Sequence, residues 1–140
     1  MTAVAGVVLA AGRSSRFAGE RPKQLFEIDG EPMVRRAVCT ALASRLTRVV
    51  VVVGHAADEV RTALDGLACE VIENPDFVEG QSTSVRAGLA GLPAEIGAAI
   101  FLPVDQPWLT AHTIDRLIAA WEERRGAIVL PVHDLSLIHI

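Results

Sequence analysis

At 140 residues the chain has the length of one ordinary domain, able to bury roughly two thirds of its unfolded surface around a single core. Apolar residues make up 51% and charged residues 21%, a balance that excludes a disordered chain. The formal net charge of −4 excludes a basic field of the kind that holds nucleic acid or anionic lipid regardless of sequence, so any anionic ligand needs a local site.

The first element is an apolar run over residues 4–10, bounded by Gly12, as expected of a strand buried on both faces. The N-terminus lacks a basic n-region, and no apolar run reaches membrane-spanning length, so a cytoplasmic location with no membrane partner is expected. Residues 11–24, AGRSSRFAGERPKQ, follow directly. Small residues there let backbone N–H groups approach an anion, and Arg13, Arg16, Arg21 and Lys23 can neutralise its charge. The spacing is that of neither a P-loop nor a dinucleotide fingerprint, and the same composition also suits a solvated loop.

A helix is predicted with Val34, Ala37, Val38, Ala41 and Leu42 on its inner face and Pro32 in its first turn; Arg35 and Arg36 fall on the solvated side. Residues 48–53, with five successive valines, form the clearest strand, and residues 57–64 form a helix ended by Gly66. A weaker strand over 69–72 leads to Asn74, either a polar contact near a ligand or a turn former before proline. Ser82 is the predicted cap of a helix through Val85 and Leu89. Residues 98–104 form the fourth strand, and Thr110 caps a helix whose Ile114, Leu117, Ile118 and Trp121 face inward. A fifth strand is expected over 127–132. Cys39 and Cys69 lie outside any CxxC or zinc spacing and are expected to be buried small residues, the four histidines form no helical metal motif, and Trp108 and Trp121 are expected to pack.

This alternation predicts an α/β protein, a mostly parallel sheet with helices on both faces, whose ligands bind at the carboxyl ends of the strands. Asp105 follows the fourth strand at such an end. A hard carboxylate there suits Mg²⁺ bridging nucleotide phosphates, although Asp two residues before Pro107 is also turn chemistry.

Within residues 9–25, LAAGRSSRF followed by PKQL resembles the LAAGxSxRxG(x)nK signature of the MobA-like NTP transferase family, and most nearly its molybdenum cofactor (molybdopterin) cytidylyltransferases. The sequence PVDQP resembles the family's PxDxP motif, and GQSTSVRAG within residues 79–89 resembles its GxSxSxxxG. The resemblance implies a three-layer α/β/α, Rossmann-like (glycosyltransferase-A-like) fold and transfer of CMP from CTP to a phosphorylated small molecule, with loss of pyrophosphate. It assigns nucleotide binding to Leu9, Ala10, Ala11, Gly12, Arg16 and Lys23, with Asn74 and Ser82 nearby, catalysis to Arg13, Lys23 and Asp105, and the metal, Mg²⁺, to Asp105. Ala18 replaces the glycine expected two residues after Arg16, with Gly19 one step later. LAAG rather than LAGG favours CTP over GTP, and a molybdoenzyme or its chaperone is the implied protein partner.

A guanylyltransferase, a methylerythritol-phosphate cytidylyltransferase and a non-catalytic nucleotide-binding fragment are the alternatives; a dehydrogenase is poorly supported without the dinucleotide glycines. The last six residues, LSLIHI, match the translation of a widely used transposase sequencing adapter. Residues 1–134 are therefore expected to be the N-terminal part of a nucleotidyltransferase domain and 135–140 a non-native tail, with the acceptor region and a second metal ligand missing.

Overall fold

The computed structural model describes residues 3–11, 23–104, 109–124 and 136–139. Its sheet consists of β1 (Ala3–Ala10), β4 (Arg48–Val53), β5 (Glu70–Glu73), β6 (Ile96–Pro103) and β7 (Ser136–His139), in the order β5-β4-β1-β6-β7. The first four strands in that order are mutually parallel and β7 runs antiparallel to β6. A two-stranded hairpin, β2 (Glu27–Ile28) and β3 (Glu31–Pro32), stands apart from it. The hairpin turns at Asp29 and Gly30, both at positive φ (54° and 81°), the backbone that an Asp-Gly pair favours in a two-residue turn. Strands this short carry no readable alternation, so only the turn could have announced them.

Helices α1 (Met33–Leu42), α2 (Ala57–Ala63) and α4 (Ala111–Arg124) cover one face, and α3 (Gln81–Ala90) covers the other. The split follows from strand periodicity, since successive side chains point to opposite faces. Val4, Val8, Val49, Val51, Val53, Ile100 and Leu102 meet Val34, Val38, Val60, Ile114, Ile118 and Trp121 on the first face, whereas Val7, Val52, Ala99 and Phe101 meet Val85, Ala87 and Leu89 on the second. The three-layer α/β/α architecture expected from the alternation is the one observed.

Several local expectations need correction. Leu42 is 36% exposed instead of facing the core, and Pro32 caps α1 instead of opening its first turn. Arg35 is not a solvated ornament: its Nη1 donates to the carbonyls of Ala63 (2.9 Å) and Asp65 (3.0 Å), placing a cation at the carboxyl end of α2 where unpaired carbonyls concentrate negative charge. The helix expected to be capped by Ser82 begins two residues earlier, after Gly80, whose φ of 123° no other residue type adopts easily. Cys39 and Cys69 are half-buried rather than buried. The expected strand over 127–132 and Trp108 lie outside the described residues. Ser136–His139, within the segment expected to be foreign, pairs antiparallel with β6; an open sheet edge offers unpaired N–H and C=O groups to any apolar segment that reaches it.

Candidate active site

The chain passes from β1 outward to β4 and β5, then crosses back to β6 on the other side of β1. Strand order therefore reverses between β1 and β6, and the crevice outside their carboxyl ends is where sheets of this type take ligands. Leu9 pairs with Pro103 across this boundary, so Ala10, still paired with Val53 of β4, and Ala11 after it follow at the level of Val104, the residue before Asp105. The structure thus brings together the ends of the two strands that carry the first motif and PVDQP. Gly12, Arg13, Arg16, Arg21 and Asp105 themselves lie outside the described residues, and of Lys23 only the backbone is described, in a short 3-10 turn (Lys23–Leu25) packed against α1 and α2.

Two buried amides organise the rim of the crevice. Gln24, 2% exposed, donates both Nε2 protons to carbonyl oxygens, those of Ala10 (3.1 Å) and His55 (3.2 Å), and the N–H of His55 in turn donates to the Ala11 carbonyl (3.1 Å). The end of β1 is thereby stitched to the loop that follows β4. In that loop Ala56 holds a left-handed conformation (φ 58°), a backbone state that costs a non-glycine residue free energy and persists only where its surroundings enforce it.

Asn74, 3% exposed, performs the second stitching. Its backbone N–H donates to the Val53 carbonyl (2.7 Å), its Nδ2 donates to Thr83 Oγ1 and Ser84 Oγ (both 2.9 Å), and its Oδ1 accepts from the Asp76 N–H (3.0 Å). Thr83 Oγ1 also lies 2.7 Å from the Gly80 carbonyl and 3.0 Å from that of Asp76. Asn74 therefore holds the turn after β5 against the first turn of α3. Ser82, on that first turn, is exposed.

The helix that carries Ser82 is seated unusually close to the sheet. A Cβ on Gly88 would come 2.6 Å from Val7 Cγ1 and 3.3 Å from Val52 Cγ2, so only glycine permits this approach. The last glycine of GQSTSVRAG is a packing residue, and it sets where Gln81 and Ser82 stand relative to the carboxyl end of β1. Ala11 is buried, its methyl in the cluster on the α3 side of the sheet. Sequence reasoning missed Gln24, although its position inside PKQL, next to Lys23, was a usable signal; nothing local foretold that its side chain would be buried. Among the described residues no three His, Cys, Asp or Glu side chains gather in a way that could hold a metal ion, and no helix is long and apolar enough to cross a membrane.

A mostly parallel sheet with helices on both faces and a topological switch point between β1 and β6 defines a Rossmann-like α/β protein, a class whose ligands lie outside the carboxyl ends of the strands. More narrowly, residues 6–140 match the MobA-like NTP transferase domain, and the chain belongs to that family. It is 38% identical over 139 residues to a 2-C-methyl-D-erythritol 4-phosphate cytidylyltransferase of Streptomyces coelicolor, covering 93% of this chain and 51% of that protein. It is 36% identical over 139 residues to the bifunctional protein GlmU of Syntrophotalea carbinolica, covering 95% of this chain and 28% of that protein. The chain thus spans about half or less of the length of these curated relatives. Two crystal structures of Rv0371c from Mycobacterium tuberculosis H37Rv, one of them a complex with manganese, share its fold. Their TM-scores are 0.73 and 0.69 at 30% and 26% identity, covering 84% and 85% of this chain and 59% of that chain in both.

Proposed function

We propose that this chain forms the nucleotide-binding part of an enzyme that transfers CMP from CTP to a phosphorylated small molecule. The observation that carries the reading is the meeting, at the β1–β6 switch point, of the strand end bearing Leu9, Ala10 and Ala11 with the strand end that leads into Asp105. An acceptor phosphate oxygen attacks the α-phosphorus of CTP; the new P–O bond forms as the bond to the bridging oxygen breaks, and the electron pair leaves on pyrophosphate. The chain's task is positioning and charge neutralisation. The backbone from Leu9 to Gly12 holds the nucleotide, Arg13, Arg16 and Lys23 balance the triphosphate, and Ser82 and the first turn of α3 face the nucleoside. Asn74 acts by holding that turn, since its amide is already spent on Thr83 and Ser84.

Mg²⁺ would be held by Asp105, a hard carboxylate of the kind this ion takes alongside nucleotide phosphates. When bound it supplies Lewis-acid stabilisation of the phosphate charge. The manganese complex of Rv0371c supports a divalent ion.

For the acceptor, the GQSTSVRAG segment favours the molybdopterin cofactor. The 38% identity to the Streptomyces cytidylyltransferase favours 2-C-methyl-D-erythritol 4-phosphate as the second reading. The test is pyrophosphate release from CTP and GTP with each acceptor, with CTP binding by the 140-residue chain measured alongside. Lys23→Ala and Asp105→Ala should each lower turnover by at least about a hundredfold. Ala11→Gly, by removing a buried methyl on the α3 side, should narrow the preference for CTP over GTP. Full activity in the Lys23 or Asp105 variant would refute their assignment.

A further inference from the structure

We infer that Gln24 is a positioning residue for nucleotide binding, one that aims the backbone at the end of β1 without touching the ligand. The inference rests on the reading of this site as a nucleotide site and adds a residue to it. A peptide group is planar and trans, so its C=O and N–H point in opposite directions. Gln24 holds the Ala10 carbonyl on the flank of β1 that faces β4 and the His55 loop. The N–H of Ala11, in the same peptide group, is thereby turned toward the β6 flank, where the crevice opens.

The second proton of the same amide fixes the His55 carbonyl, and the His55 N–H closes the ring onto the Ala11 carbonyl. Ala10 and Ala11 are in this way held by the neighbouring loop before any ligand arrives, which lowers the ordering cost of binding. Lys23 precedes Gln24 directly, so the same anchor fixes the backbone from which the lysine side chain departs.

Two carbonyls converging on one buried nitrogen are met by the two protons and three-carbon reach of the glutamine amide without burying a charge. Asparagine is too short and an ionised glutamate has no proton to give.

The experiment measures CTP affinity, in the presence of Mg²⁺, of the full chain and of Gln24→Leu and Gln24→Glu, with circular dichroism to establish that each is folded. Gln24→Leu should bind CTP about tenfold more weakly or worse, as expected when the buried Ala10 carbonyl and the part-buried His55 carbonyl lose their donor. Gln24→Glu keeps the shape of the side chain. At about pH 8 it should bind as poorly as the leucine variant, and toward about pH 6 its affinity relative to wild type at the same pH should recover, as the carboxyl takes a proton and donates it to one carbonyl. A role in packing alone would leave that ratio flat. Should Gln24→Leu fail to fold, the pH dependence of Gln24→Glu decides. A folded variant that binds CTP as tightly as wild type, or a flat ratio, overturns the inference and leaves the nucleotide reading intact; a wild-type chain that binds neither CTP nor GTP overturns both.

Discussion

Gln24 and Asn74 are both buried amides at the carboxyl end of the sheet, yet they hold different kinds of partner. Gln24 donates to two backbone carbonyls, which cannot rotate to find another donor, at the ends of the central strands β1 and β4. Asn74 donates to two hydroxyls, and one of them, on Thr83, has carbonyl neighbours of its own at Gly80 and Asp76. The β1 rim is therefore a fixed frame and the α3 rim an adjustable wall. Damage to the frame should weaken every nucleotide alike, whereas damage to the wall should change which base is preferred.

The largest effect is expected where the wall is seated. Gly88→Val places a branched side chain where even a Cβ would stand 2.6 Å from Val7, so α3 must lift from the sheet at a cost of about 3 kcal/mol, read from urea denaturation. If α3 moves as predicted, the ratio of CTP to GTP affinity shifts as well; a stable variant with unchanged selectivity would mean that α3 does not border the base.

Asn74→Ala removes both hydroxyl contacts and the acceptor of the Asp76 N–H, and should destabilise by about 2 kcal/mol, with faster hydrogen exchange confined to the turn after β5 and the first turn of α3. Its effect on base selectivity should exceed that of Gln24→Leu, and the reverse order would break the comparison. Thr83→Val, which leaves Asn74 its bond to Ser84, should cost about 1 kcal/mol in the same assay.

The smallest effect serves as a control at the opposite end of the sheet. Cys69, just before β5, has its thiol pKa pushed up, by burial first and by the neighbouring Cys39 second. A raised folded-state pKa means that the folded chain holds this proton more tightly than the unfolded one. The stabilising contribution is present below the ordinary thiol value of about 8.5 and falls away as pH rises from there through the folded value. Alkylation of Cys69 at neutral pH should be slower than that of a free thiol and should leave nucleotide binding unchanged.

What could be read from the sequence was whatever one element's own residues determine. The five valines of β4 gave its limits to the residue, and Thr110 with Ile114, Leu117, Ile118 and Trp121 gave α4 its cap and inner face. What could not be read depended on distant partners. Arg35 was assigned to solvent because its helix position is outward, but its partners are carbonyls 28 and 30 residues away. Gln24 looked like one more polar loop residue because its acceptors lie 14 and 31 residues away. Ser82 was placed as a cap because a hydroxyl before an apolar run is the usual signal; Gly80, with its left-handed backbone, opened the helix earlier.

The two-rimmed nucleotide site is tested most directly by one titration, which adds CTP with Mg²⁺ to the isotope-labelled chain while the backbone amide resonances of Ala10, Ala11, Gln81 and Ser82 are followed. Both rims should respond together, CTP should move the α3 pair at lower concentration than GTP, and Gln24→Leu should shift the midpoint for both nucleotides. Movement of neither rim at saturating nucleotide, or of resonances only at the amino ends of the strands, would contradict a nucleotide site at this end of the sheet.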